Sequence, residues 1–302
     1  MAKSATGGAF DGVVTPSGLL HQQMWAREKK TNTTKKPETT KPTEPKESKR
    51  WTESLEITQN AIPSQVRVVT VGDREADIYE LFAQPRRIGS EYLIRAYQKR
   101  SVKTATTQTE VEKLPQAIIK TKPIGQLTIS LKRTTKRQPR PAKLTIRIAT
   151  YLLQPPERHP QQSNLKPIKI QVILAQEETP PPKEKPIKWL LVTTLPVTDY
   201  QQACLCLKWY SYRWLIERYH YTLKSGCNIE NLQLETAKRI ERALATYAIV
   251  AWRLLWLTYQ ARNNPETPAT QAFQSHEWQA LYPTFRTLNC PNRKLRRAKS
   301  KA

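Results

Sequence analysis

Acidic chemistry in these 302 residues has few places to sit, because the chain holds only four aspartates: Asp11, Asp73, Asp77 and Asp199. Asp73 follows Gln65–Val71 (QVRVVTV), an apolar, β-branched run bounded by Pro63 and Gly72 that reads as a strand. A carboxylate just past the C-terminal end of a sheet strand lies where α/β proteins present ligands, and it suits a hard divalent ion such as Mg²⁺. The same residue could instead cap a helix over Arg74–Gln84, with Asp77 on the solvated face of that helix. A second constellation is Tyr210, Arg213, Glu217 and Lys224, whose intervals of three, four and seven put all four on one face of a helix. One carboxylate among Tyr, Arg and Lys suits phosphodiester chemistry, with Glu217 on a metal and Arg213 and Lys224 on phosphate oxygens or developing charge. An Arg213–Glu217 pair is also ordinary helix-surface electrostatics. The four cysteines, Cys204, Cys206, Cys227 and Cys290, form no CxxC pair and lie far from zinc spacing with any of the four histidines, so neither a zinc site nor a disulfide framework is expected.

The elements that must position these residues are legible as periodicities. Glu91–Arg95 (EYLIR) reads as a second strand after the Arg74–Gln84 helix, which has Ala76, Ile78, Leu81 and Phe82 on one side. Between Lys120 and Pro186, short β runs broken by prolines (Gln126–Leu131, Leu144–Leu153 and Ile168–Ala175) predict an inserted β meander. Ile187–Leu195 (IKWLLVTTL) is apolar enough for a central strand. Asp199 can cap one long helix through Lys224, with Gly226 as its C-terminal stop. Glu235–Arg262 is the strongest helical pattern, and its apolar stretch Ala243–Leu257 predicts a buried helix. The expected class is mixed α/β, a β-α-β core with a β insertion followed by long helices.

Charge narrows the partner. Fifty Lys and Arg stand against 25 Asp and Glu, a net charge of +25 with a pI near 10.0, which favours a polyanion. Residues 29–50 contain no apolar side chain except proline and eight of their 22 are Lys or Arg, so a disordered linker or loop is expected there. The last ten residues, RKLRRAKSKA, carry six positive charges and read as a mobile tail. No secretory signal is expected from MAKSATGGAFDG, and Ala243–Leu257 is too short and too interrupted by Arg253 to span a bilayer. The broad apolar face of Glu235–Arg262 is unlike an interfacial helix, so nucleic acid is favoured over a membrane and a cytoplasmic location is expected.

The stretch GDREADIYELF and the spacing Tyr210-x2-Arg213-x3-Glu217-x6-Lys224 together resemble the DDE transposases of the insertion-sequence-four family, which includes the transposase of transposon five. The family's signature has the form Y-x2-R-x3-E-x6-K, and its second catalytic Asp opens a DREAD-like string, here Asp73-Arg74-Glu75-Ala76-Asp77. PIKWLLVTTLPV is similar to the strand before the signature helix and SGLLHQQMWAR to an upstream strand, so the match covers most of residues 13 to 285. The resemblance implies an RNase H-like catalytic core, Asp73 and Glu217 as two of the three metal-binding carboxylates, and two divalent ions (Mg²⁺ or Mn²⁺) activating water and later a DNA 3′-hydroxyl. It further implies that Tyr210, Arg213, Lys224 and Arg95 contact phosphates of transposon-end DNA, that Trp189 stacks near an extruded base, and that a homodimer forms on DNA ends. A Trp inside an apolar strand is also ordinary core packing, and Tyr221 stands where some relatives have a lysine.

The departure from the family lies at the front. The first catalytic Asp of the family belongs to a D-T-T-like string on the first strand of the sheet, and no such string occurs in this chain. Asp11, in GAFDGVVTPSG, is the only aspartate before Asp73 and reads as part of a loop. The expectation is therefore an N-terminally truncated transposase whose RNase H-like core lacks its first strand. Its regions are a core-strand remnant (1–28), the basic linker (29–50), two parts of the core (51–119 and 187–262) around a β-rich insertion (120–186), and a C-terminal region with a basic tail (263–302) that leaves the family pattern after Tyr282. Two carboxylates position two cations poorly, so strand cleavage is expected to be lost or crippled. The alternatives are a DNA-binding remnant that does no chemistry and a degenerate product that folds poorly.

Overall fold

The computed structural model describes residues 16–22, 47–104, 110–131, 133, 138–157 and 165–287, with the side chains of 47, 48 and 284–287 excepted. The chain divides into two compact units, residues 20–216 and residues 1–19 with 217–302.

The first unit is built on one eight-stranded sheet. Its strands are β1 (Val68–Gly72), β2 (Ser90–Arg95), β3 (Ser101–Thr104), β4 (Val111–Lys113), β5 (Gly125–Leu131), β6 (Arg140–Leu153), β7 (Ile168–Glu177) and β8 (Lys188–Thr193). They lie in the order β1-β2-β8-β7-β6-β3-β4, with β5 added to β6. Among the described residues only β1 and β2 run parallel, and every other pair is antiparallel. β8 is central, as its uninterrupted apolar run predicts: Leu191 is fully buried between Ile173 of β7 and Arg95 of β2. The β runs of segment 120–186 join this same sheet, because β7 pairs with β8 from Gln171 to Gln176.

Side chains alternate across the sheet, so each strand feeds two cores. Tyr92, Ile94, Val172, Leu174, Leu190 and Val192 pack on one face with residues of three helices. These helices are α1 (Glu47–Ala61, through Leu55), α2 (Tyr79–Ala83, through Tyr79, Leu81 and Phe82) and α3 (Leu114–Ile119). Leu93, Ile173, Ala175 and Leu191 point to the other face, where α4 (Tyr200–Ser211) contributes Ala203, Cys206, Leu207 and Tyr210. The result is a mixed α/β unit of three layers, in the class expected from the sequence.

The second unit is helical. α5 (Trp214–Tyr221) contains the division between the units, which falls after Ile216. A π turn (Thr222–Gly226) and a 3₁₀ turn (Ile229–Asn231) lead to α6 (Ala237–Asn263) and α7 (Ser275–Thr287). Thr236 caps α6 by accepting from the Arg239 backbone N–H at 3.3 Å. Tyr219, Leu223, Ala248, Ala251 and Leu255 form the core of this unit.

Several sequence expectations are corrected. The single helix from Asp199 to Lys224 is instead α4, a tight turn, α5 and the π turn. Asp199 does cap it, accepting from the Gln202 N–H at 2.8 Å. Its backbone then tightens to i→i−3 bonds at Tyr212, Arg213, Leu215 and Ile216. The helix expected over Arg74–Gln84 shrinks to Tyr79–Ala83: the Asp73 side chain takes the Glu75 N–H in a local turn, and the Asp77 side chain is drawn to the backbone of Tyr97 and Gln98. α6 is not a buried helix: Ile249, Val250 and Leu254 are exposed, and only Ala248, Ala251 and Leu255 are buried. Residues 47–50, expected to be disordered, begin α1, while 29–46 lie outside the described residues. Residues 17–22 of the expected upstream strand have no regular structure, and 23–27 lie outside the described residues. α7 runs through Pro283 to Thr287, past the point at Tyr282 where a broken tail was expected. The final basic stretch, Asp11 and Cys290 lie outside the described residues. No helix among the described residues is long and apolar enough to cross a membrane.

Candidate active site at the end of the parallel strands

Asp73 leaves the sheet one residue beyond β1, at the end of the one parallel pair among the described residues, as its sequence position predicts. Gly72 before it is sterically required. A Cβ there would come within 2.6 Å of the Ala76 Cβ and 2.7 Å of the Ile94 Cδ1, because the turn folds directly back over the strand. The Asp73 Oδ1 accepts from the Glu75 N–H at 2.9 Å, which closes a local turn rather than capping a helix, since α2 starts only after Ile78. The side chain is half-exposed, and among the described residues no cation pairs with it.

Asp77 is where the sequence misleads. Expected on a solvated helix face, its side chain is 1% exposed and locked by three bonds. Its Oδ2 accepts from the backbone N–H groups of Tyr97 and Gln98, both at 2.7 Å, and its Oδ1 from the Arg100 Nε at 2.7 Å. Arg100 Nη2 also donates to the Asp77 carbonyl. Periodicity treats an acid between apolar neighbours as solvent-facing. The partners that draw this one inward lie 20 to 23 residues downstream.

The remaining sequence-predicted residues fall into two sets. In the sheet unit, Arg95 ends β2 half-exposed and its Nη2 donates to the Lys188 carbonyl at 3.1 Å. Trp189 on β8 is half-buried and meets Tyr210 edge-on, ring centroids 6.0 Å apart, with Tyr210 6% exposed in the second core. The contact of this pair is core packing, the second of the two readings the strand sequence permits. Arg213 sits in the tight turn after α4. In the helical unit, Glu217 lies on α5 and Lys224 in the π turn, where its Nζ pairs with Glu230 at 2.7 Å. Burial, with Lys224 nearby, lowers the pKa of His220 one turn after Glu217. Among the described residues, no three His, Cys, Asp or Glu side chains gather as a metal site would require.

Sequence reasoning did not single out Tyr97, which is 66% exposed with the Arg74 guanidinium 5.8 Å from its ring centroid. The only signal available was an aromatic residue two positions beyond a strand end. Compared with known families, the chain matches the model described as "Transposase DDE domain" over residues 37–253, more than two thirds of its length.

Proposed function

The chain belongs to the family of transposases with a DDE domain, and from that premise we propose that it is a transposase of a bacterial insertion sequence, of the insertion-sequence-four group. Transposases bind DNA and those with this domain generally use divalent metal ions. In this reading the sheet is an RNase H-like core extended by residues 120–186, the substrate is transposon-end DNA in the cytoplasm, and Asp73 and Glu217 are each metal-ligating carboxylates. Arg95, Arg213 and Lys224 are the DNA contacts, with Tyr210 and Trp189 serving the core of the sheet unit rather than DNA, and two copies act together on DNA ends.

The observation that carries the proposal is the place of Asp73. A partly exposed carboxylate with no paired cation among the described residues, set by a forced glycine turn at the end of two parallel strands, is suited to a hard cation. Bound Mg²⁺ or Mn²⁺ would supply a Lewis acid and an activated water. Asp73 fits one ligand of such an ion, but the described residues bring no three ligating side chains together. In this reading the chain binds DNA, and the described residues alone supply too few carboxylates for efficient cleavage. The same observation favours a second reading, a DNA-binding protein that does no chemistry.

Nicking of supercoiled plasmid in Mn²⁺ or Mg²⁺, measured beside fluorescence anisotropy with a DNA duplex, separates the two. A transposase predicts slow nicking that Asp73→Ala and Glu217→Ala each reduce by about a hundredfold or more, with DNA affinity kept within about threefold. Binding without nicking, indifferent to both substitutions, selects the non-catalytic reading. A chain that does not bind DNA at all sinks both.

A further inference from the structure

The turn after β2 is held more firmly than a surface turn requires. One buried carboxylate, that of Asp77, fixes the backbone of Tyr97 and Gln98 and the guanidinium of Arg100, which is itself only 10% exposed. Arg100 ties the turn further, its carbonyl accepting from the Leu114 N–H at 2.8 Å, and the Ala96 N–H donates to the Leu190 carbonyl on β8 at 2.8 Å. An exposed aromatic on a free loop is unremarkable. Here, by contrast, two buried charges and the central strand β8 hold the one residue of the turn that projects a ring into solvent.

The surroundings of the ring fit a nucleic-acid ligand. Arg74, the residue immediately after Asp73, lies over Tyr97, and Arg95 and Lys99 stand two residues to either side of it in sequence. A tyrosine with a guanidinium against one face and 66% of its surface open can take a nucleobase on the other face, while the cations meet the adjoining phosphates. Bases inside a duplex have no free face to offer, so the ligand class is an unpaired nucleotide at a single-stranded end or gap.

We propose that Tyr97 is a stacking platform for an unpaired base of the bound DNA, pre-set by the Asp77–Arg100 pair beside Asp73. The proposal rests on the DNA-binding reading above. Stacking needs the π face but not the phenol hydroxyl, so Phe must substitute for Tyr and Leu must not. The test uses the full chain and two duplexes of one sequence, one blunt and one with a short 3′ overhang carrying 2-aminopurine, read by anisotropy and by quenching of the 2-aminopurine.

The expected result is tighter binding of the overhang than of the blunt duplex, with quenching. Tyr97→Leu should weaken the overhang complex about tenfold and abolish the quenching, while blunt-duplex affinity stays within about twofold. Tyr97→Phe should keep both signals. Equal loss on the two duplexes, no loss with Leu, or failure of Phe to rescue overturns the assignment. If the native chain binds neither duplex, the DNA-binding reading fails and this inference falls with it. If it binds both but ignores Tyr97, only this inference falls.

Discussion

Asp77 shows at the scale of one residue how a charge becomes structural. Its carboxylate satisfies two backbone N–H groups and one guanidinium while almost fully removed from water, so each partner depends on it. Asp77→Ala would leave Arg100 buried without its counter-ion and two amides unpaired, a loss of about 3–5 kcal/mol on the scale of broken buried pairs. That is a large share of a typical domain's stability. Arg100→Lys keeps the charge but cannot repeat the two-nitrogen contact, and should cost less. Urea unfolding followed by tryptophan fluorescence measures both, and a loss below about 1 kcal/mol for Asp77→Ala would mean that the turn is held by other contacts. The sequence could not disclose this role. Local pattern separates Asp73, just past a strand, from Asp77 on a helix face, but it cannot show that the chain's return through Tyr97–Arg100 buries Asp77 and leaves Asp73 partly exposed.

Among the elements, what was legible follows from how local the causes are. β7 and β8 read correctly because a doubly covered strand must be apolar on both faces, and Ile173 and Leu174 or Leu190 and Leu191 meet that demand residue by residue. The break after α4 did not read, because nothing in the helical spacing of Tyr210, Arg213 and Glu217 distinguishes an i→i−4 ladder from the i→i−3 bonds that Arg213 and Leu215 make. α6 misled for the opposite reason: its apolar residues are spread round the helix, and the core of its unit takes only Ala248, Ala251 and Leu255 fully. Strand position also orders the expected costs of truncation. Leu191→Ala, at the centre of β8 and fully buried, should lose about 2–4 kcal/mol, whereas Val111→Ala on β4, 57% exposed at the sheet's far edge, should stay within about 0.5 kcal/mol. Matched denaturation midpoints check the pair. Similar costs at the two sites would contradict the central placement of β8.

For the whole molecule the governing quantity is the charge surplus of 25, which the fold does not cancel. Internal ion pairs do use several of the arginines: Arg140 between Glu177 and Glu184, Arg147 with Glu178, and Arg100 with Asp77. These cations are committed to stability and cannot count towards DNA. Lys224 differs, since it and Glu230 are 58% and 62% exposed, and a surface pair of that kind is worth little enough to exchange for a phosphate. If Arg95, Arg213 and Lys224 were the only phosphate contacts, the slope of log K against log salt would be near −3. The net charge is far larger than three, so a slope of about −6 or steeper is expected, with Lys224→Ala making it shallower by about one. Glu230→Gln should tighten binding modestly, because it releases Lys224 from its pair without touching DNA itself. Anisotropy titrations between about 50 and 200 mM salt read all three proteins. A slope shallower than −3 would mean that the field of the molecule is not what holds the nucleic acid, and an unchanged slope in Lys224→Ala would remove that lysine from the contact set.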